Sequence, residues 1–326
     1  MKNFITMILL IKFLLLTLSL NSLVLAETHS ETKKLAYLVS DMRIPFWEIM
    51  SRGIVNAADK LGYSVDIYSA ENSRKKELEN TLKVIKDKVD GIIVSPTSSA
   101  ACATILKFAN KAKIPVVISD IGTDSGNYVT YISSNNLQGA YEIGQVLANK
   151  INSLGWKDAE VGIVAIPQKR LNGQARTAGF MKAMKEAGIK GSDLKQQKTW
   201  TEQETYQYSL DMIKSNPNLK AIWLQGSDRY QGALRAIKET NNEQKILLIT
   251  FDAEPEFLDL IPEGILVGSA MQQPYLMGKI ALESMNQFLN GKNVEQEIEL
   301  PILAISSDNI KEKLPLIRLN VLGIKE

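Results

Sequence analysis

The chain has 326 residues, 45% of them hydrophobic and 23% charged, with a formal net charge of +2. That length suits about two domains of ordinary size, and the composition requires no long disordered region. The near-neutral balance provides no long-range field for phosphate backbones, so no nucleic-acid partner is expected.

The first segment, "MKNFITMILLIKFLLLTLSLNSLVLA", carries Lys2 and Lys12 and no acid. Its apolar core from Phe13 to Leu20 is short for a spanning helix, and Val24 and Ala26 suit signal peptidase. A signal peptide over 1–26, cut after Ala26, is expected. No Cys lies near the cut, so lipid attachment there is excluded and a soluble periplasmic protein is expected. The remainder has a net charge near zero.

After Lys33 short apolar runs alternate with amphipathic segments. The runs are "LAYLVS" at 35–40, "SVDIYS" at 64–69, "GIIVS" at 91–95, "PVVIS" at 115–119 and "YVTYIS" at 128–133. Later come "VGIVAI" at 161–166, "AIWLQ" at 221–225, "ILLITF" at 246–251 and "LVGSAM" at 266–271. Helical periodicity marks 46–61, 136–151, 171–187 and 275–289, and Gly62, Gly188 and Gly291 suit left-handed C-terminal caps. Alternating strands and helices predict parallel sheets covered on both faces. Only "DIGTDSGN" separates "PVVIS" from "YVTYIS", which marks the crossing from one α/β lobe into a second.

In such sheets ligands sit beyond the carboxyl ends of the strands. Arg43, Phe46 and Trp47 follow the first run, Asp120 the fourth and Asp252 the run "ILLITF". Ser227 and Asp228 follow "AIWLQG", and Gln272 follows "LVGSAM". The chemistry is as informative for what it lacks. His29 is the only histidine and Cys102 the only cysteine, which removes histidine triads, His-ligated zinc and disulfides. There is no Walker loop or G-x-G-x-x-G fingerprint. No enzyme, metal or cofactor is expected; the competing enzymatic reading is a periplasmic glycosidase using Asp120 and Asp252.

The ordered set "LAYLVSDMRIPFWEIMSRGIVNAADKLGY", "DGIIVSPTSSA", "IPVVISDIG", "YISSNNLQGAYEIGQ", "ARTAGFMKAMKEAG", "LLITFDAEPE" and "GSAMQQPYLMGKIALE" resembles the periplasmic sugar-binding proteins of the ribose-binding type over about residues 34–305. The resemblance implies the type I periplasmic binding protein fold, an α/β architecture of two doubly wound parallel-sheet lobes joined by a three-segment hinge. The crossings are expected near Ser134, Met271–Gln272 and Pro301. That gives a first lobe of 34–134 plus 272–300 and a second of 135–271 plus 301–326.

By the same resemblance Phe46 and Trp47 pack their rings on a sugar, with Trp200 contributed by the second lobe. Asp120 and Asp252 accept sugar hydroxyls, and Gln272 is the hinge glutamine. The chain departs from the family at four polar positions, which hold Ile44, Ile121, Gln174 and Gly226. Arg43, Arg170, Asn172, Asp228 and Arg229 are the neighbours able to compensate, while Arg176 reads as structural. A ligand less polar than ribose or of different shape stays open, including a deoxy sugar or a signalling molecule. The implied role is a monomer that captures a sugar-like small molecule and presents it to the permease of an ABC importer. The alternative partner is a membrane sensor such as a histidine kinase.

Overall fold

The structure, a computed structural model, describes residues 32–324. The expected signal peptide and its cut lie outside the described residues. The first half of the chain runs β1 (Lys34–Val39), α1 (Pro45–Leu61), β2 (Ser64–Ser69), α2 (Arg74–Lys86), β3 (Gly91–Ser95), α3 (Ser99–Lys111), β4 (Val116–Ser119) and β5 (Thr130–Ser134). The second half repeats the alternation: α4 (Asn136–Ser153), β6 (Glu160–Ala165), α5 (Leu171–Glu186), β7 (Lys190–Gln196), α6 (Glu202–Ser215), β8 (Leu219–Leu224), α7 (Tyr230–Glu239), β9 (Leu247–Phe251), α8 (Phe257–Leu260) and β10 (Gly268–Met271). Then follow α9 (Pro274–Leu289), β11 (Glu297–Leu300), β12 (Leu303–Ser306), α10 (Ile310–Leu316) and one wide helical turn, Ile317–Val321.

Two six-stranded sheets result, in the orders β11-β5-β4-β3-β1-β2 and β12-β10-β9-β8-β6-β7. All pairings are parallel except β10 with β12. Each sheet reverses its strand order once, between β1 and β3 in the first and between β6 and β8 in the second. Those reversals open crevices at the carboxyl ends of the strands, where open α/β sheets take ligands. β7, β11 and β12 escape the sequence reading. β7 and β11 are sheet edges rich in charged and polar residues, and β12 has only four residues.

Local chemistry places α1. Pro45 sits in its first turn, where its missing N–H costs nothing. Gly62 ends it at φ 70°, a left-handed cap that donates to the Asp59 carbonyl while Tyr63 donates to Ala58. α1 lies unusually close to α9: a Cβ on Gly53 would come within 2.2 Å of the Tyr275 carbonyl oxygen, and one on Gly278 within 2.1 Å of that of Met50. This crossing fixes the N-terminus of α1, and with it Phe46 and Trp47, against the hinge-side helix.

The chain leaves the first sheet after Ser134, returns to it after Met271 and leaves again between Leu300 and Leu303. Its tail touches both lobes. Ile310, Ile317, Val321 and Leu322 are buried in a core cluster with Met271 and Ile305 of the second sheet. Arg52 of α1 donates to the carbonyls of Leu322 and Gly323 at 2.9 and 3.3 Å.

Candidate functional site

The two sheets present matching carboxylates to one cleft. Asp120 follows β4, and its N–H donates to the Ile132 carbonyl at 3.0 Å; Asp252 follows β9, and its N–H donates to that of Ala270 at 2.8 Å. Both adopt left-handed backbone, at φ 71° and 67°. Asp tolerates that conformation better than most residues, and the neighbouring strand holds each one in it. Their carbonyls are fixed as well, by the hydroxyls of Tyr131 and Ser269. The carboxyl groups are thereby aimed by the sheets themselves.

Their partners differ. Among the described residues the Asp120 carboxyl accepts one hydrogen bond, from Trp47 Nε1 to Oδ2 at 3.1 Å. Burial pushes its carboxyl up to about 6 against the pull of Arg176, and the charge of Asp252 adds to the rise. Asp252 accepts Gln272 Nε2 at 2.7 Å and faces Arg176 Nη1 at 3.4 Å. Burial still raises its carboxyl above the ordinary carboxylate range.

Around these acids Ile44, Phe46, Trp47, Ile166, Arg170 and Asn172 line the cavity, with Arg176, Trp200, Gln225, Gly226, Asp228 and Gln272. Phe46 meets Trp47 edge-on, with ring centroids 6.1 Å apart. The Arg170 guanidinium lies 5.9 Å from the Trp47 ring and 5.2 Å from that of Trp200, bridging the aromatics of the two lobes. Arg229 approaches Trp200 from 4.8 Å and is ion-paired with Asp228. Three carboxylates thus face three guanidiniums. The space between these groups is about 50 Å³, well below that of an ordinary ligand pocket, so a sugar would need the lobes further apart.

Several polar atoms here are left without a partner. Among the described residues, Arg170 Nε, Arg229 Nε and Gln272 Oε1 are buried and find no hydrogen-bond partner. An unpaired buried polar group costs roughly 1–3 kcal/mol, so such a group next to a cavity marks where a ligand would pair. Gln225, by contrast, has both polar atoms engaged: Oε1 accepts from the Ile166 N–H and from Gln168, and Nε2 donates to Thr177.

Phe46, Trp47, Asp120, Trp200, Asp228, Asp252 and Gln272 converge as the sequence implies. Two expected residues do not. Arg43 folds back onto buried Asp41, donating from Nε at 2.8 Å and from Nη2 at 2.6 Å, and its side chain is 70% exposed. The buried Asp41 carboxylate claims the charge expected at the cleft. Gln174 is exposed, off the buried face of α5 that carries Gly173, Arg176 and Phe180, and it donates to the Gln168 carbonyl. Arg176, read from sequence as structural, lines the cavity while bonding Asn136 at 2.8 Å and the Gln225 carbonyl at 2.6 Å. Arg170, one of the compensating neighbours, also lines it.

Trp200 is held by a carboxylate clamp. Glu204 accepts the N–H groups of Lys198, Thr199 and Trp200 at 2.8–3.0 Å and the Tyr208 hydroxyl at 3.1 Å. Burial works against its ionisation, but these four donors hold the carboxyl below its ordinary value. The clamp is therefore complete above the usual glutamate range and is lost as pH falls through the depressed value. Glu204→Ala is expected to speed amide hydrogen exchange at residues 198–200 at least about tenfold at neutral pH. Unchanged exchange there would mean that the carboxylate does not hold the loop.

Residues 35–293 match the family model of the periplasmic binding protein domain. The ribose import binding protein of Bacillus subtilis (strain 168) is 29% identical over 265 residues, covering 81% of this chain and 84% of that protein. The ribose import binding protein of Haemophilus influenzae is 27% identical over 284 residues, covering 87% and 95%. Among solved structures, a solute-binding protein from Agrobacterium radiobacter in complex with D-arabinose superposes with a TM-score of 0.82 at 22% identity, over 90% of this chain and 99% of that one. A periplasmic solute-binding protein from Actinobacillus succinogenes with bound D-allose gives 0.80 at 22% identity, over 86% and 100%. Two doubly wound lobes, carboxylates at equivalent strand ends and a match over most of the length agree: the chain belongs to the periplasmic binding protein family.

Proposed function

We propose that the protein captures an uncharged sugar or sugar-like polyol between its lobes in the periplasm and presents it to the permease of an ABC importer. The observation that carries this reading is the set of unpartnered buried groups, Arg170 Nε and Gln272 Oε1, on a cavity walled by Trp47 and Trp200. A sugar has apolar C–H faces for the rings and hydroxyls that both donate and accept. Its hydroxyls would donate to Asp120 and Gln272 and accept from Arg170, with charge assistance at both ions. The balance of acids and guanidiniums favours a neutral ligand over an anion or cation. Ile44, Ile166 and Gly226 put surfaces without polar side chains on the same cavity, which suits a ligand with one less polar edge, such as a deoxy sugar. The relatives named for ribose import and the neighbours holding D-allose and D-arabinose support the sugar class. Among the described residues no helix is long and apolar enough to cross a membrane.

A thermal-shift panel of D-ribose, D-allose, D-arabinose, deoxy sugars and myo-inositol tests the reading. A clear rise in melting temperature with one class supports it, and a folded protein indifferent to all of them speaks against it. Trp47→Ala is expected to weaken binding of the best sugar by about 1–3 kcal/mol, the scale of one buried aromatic contact. An unchanged dissociation constant would remove Trp47 from the site.

A further inference from the structure

Across the cleft, the second lobe grips the first through a backbone carbonyl. Arg170, at the start of α5, donates from Nη2 to the Thr97 carbonyl at 3.3 Å. Thr97 lies in the turn between β3 and α3, well away in sequence from the cavity acids. The turn is not free to choose its position. Glu77, in the first turn of α2, accepts the Thr97 N–H at 2.7 Å and the Thr97 hydroxyl at 2.7 Å. Glu77 is 4% exposed and Thr97 6%. Among the described residues Glu77 has no salt bridge within 4 Å, although Arg170 and Arg74 both lie near enough to stabilise its charge.

Burying a carboxylate without a close cation costs several kcal/mol unless hydrogen bonds and longer-range charge offset it. In the first lobe alone the offset comes from Thr97 and Arg74. In the closed arrangement Arg170 joins them, so Glu77 is better compensated closed than open. One residue therefore does two things at closure: it fixes the carbonyl that Arg170 reaches, and it attracts the guanidinium that reaches it. Arg170 links this contact to the ligand, because it lines the cavity between the two tryptophan rings and, among the described residues, its Nε has no partner.

We propose that Glu77 is a positioning residue for lobe closure, holding the Thr97 carbonyl as the landing site for Arg170 and so slowing ligand release without touching the ligand. The release-rate arm rests on the sugar-trap reading above; the lobe-separation arm does not.

Two variants separate charge from hydrogen bonding. Glu77→Gln keeps an acceptor for the Thr97 N–H and a partner for its hydroxyl, but removes the charge. Thr97→Val removes the hydroxyl bond and leaves the carbonyl and Glu77 in place. For the best-binding sugar of the panel, each is expected to raise the dissociation rate roughly fivefold, with the association rate little changed. Glu77→Gln should do so without lowering the melting temperature of the ligand-free protein, an outcome that a purely structural role would not give. Lobe separation is read by spin labels on Lys107→Cys and Lys182→Cys, on α3 and α5, since native Cys102 is buried. Glu77→Gln should populate longer distances than the parent, with or without 10 mM D-ribose as the added probe, a level on the order of ten thousand times a micromolar dissociation constant. Identical distance distributions in the two proteins would overturn the proposal whether or not D-ribose is a ligand. Longer distances in Glu77→Gln, with no panel sugar bound, would keep the latch and sink the sugar reading.

Discussion

Asp120→Asn is expected to make the ligand-free protein more stable at neutral pH while removing most of its affinity for sugar. Asp120 is buried, its carboxyl accepts, among the described residues, only the Trp47 indole N–H, and that carboxyl is pushed up to about 6. A raised folded-state pKa means that its favourable contribution is fully present below the unfolded value near 3.8 and is lost as pH rises through about 6. Above that, holding the ionised form costs about 3 kcal/mol, from a shift of about two units at 1.36 kcal/mol each. Asparagine keeps the acceptor for Trp47 and tolerates φ 71°, so it removes the cost without new strain. A rise in melting temperature on the order of 5 °C at neutral pH, shrinking toward zero at about pH 4, is the expected signature. The same change takes away a charge-assisted acceptor for hydroxyls, so affinity should fall at least about 100-fold. Equal stability of the two proteins at neutral pH would mean that Asp120 is not strained by ionisation. Unchanged affinity would mean that it does not meet the ligand.

Asp252→Ala should behave in the opposite way toward stability, although the two acids occupy equivalent strand ends. Asp252 is the salt-bridge partner of Arg176, whose guanidinium is 3% exposed and stacked 3.8 Å from the Phe251 ring centroid. Burial already lowers the Arg176 pKa, opposed first by Asp252 and then by Asp120. Without Asp252 the guanidinium keeps Asn136, the Gln225 carbonyl and the longer-range pull of Asp120 but loses its ion-pair partner, and Gln272 Nε2 loses its acceptor. Breaking a buried pair from one side costs about 3 kcal/mol or more. Binding should fall by about 2–4 kcal/mol, because Gln272 and Arg176 lose the group that aims them and the ligand hydroxyls lose an acceptor. A melt and a titration of this single variant read both effects. Wild-type stability would mean that Arg176 is satisfied by its neutral partners alone, and wild-type affinity would remove Asp252 from the site.

The contrast between the two acids was not legible in the sequence, where "ISDIG" and "ITFDAE" look alike as strand ends. What separates them is which side chains fold back: an indole N–H on one, a guanidinium and an amide on the other. Other parts were plain. Apolar runs of five or six residues marked the interior strands, because strands buried on both faces need side chains that are apolar at every position. β7, "KGSDLKQ", gave no such signal, since an edge strand meets water and is held by its ladder of backbone bonds. The aromatic and acidic residues after the strands line the cleft because backbone geometry alone carries them there. Arg43 and Gln174 were misplaced because long polar side chains are directed by their partners, here Asp41 and the Gln168 carbonyl, and not by position along the chain. The same freedom let Arg170 and Arg176 supply guanidiniums to the cavity from other places.

Titration calorimetry of the purified protein with D-ribose, D-allose and the panel sugar of largest thermal shift tests the two-lobe trap most directly. The account predicts saturable binding of at least one neutral sugar at one site per chain, with affinity much reduced in Asp120→Asn and Asp252→Ala. Absence of binding heat at several temperatures from all of them, in a protein shown to be folded and free of carried-over ligand, would contradict it.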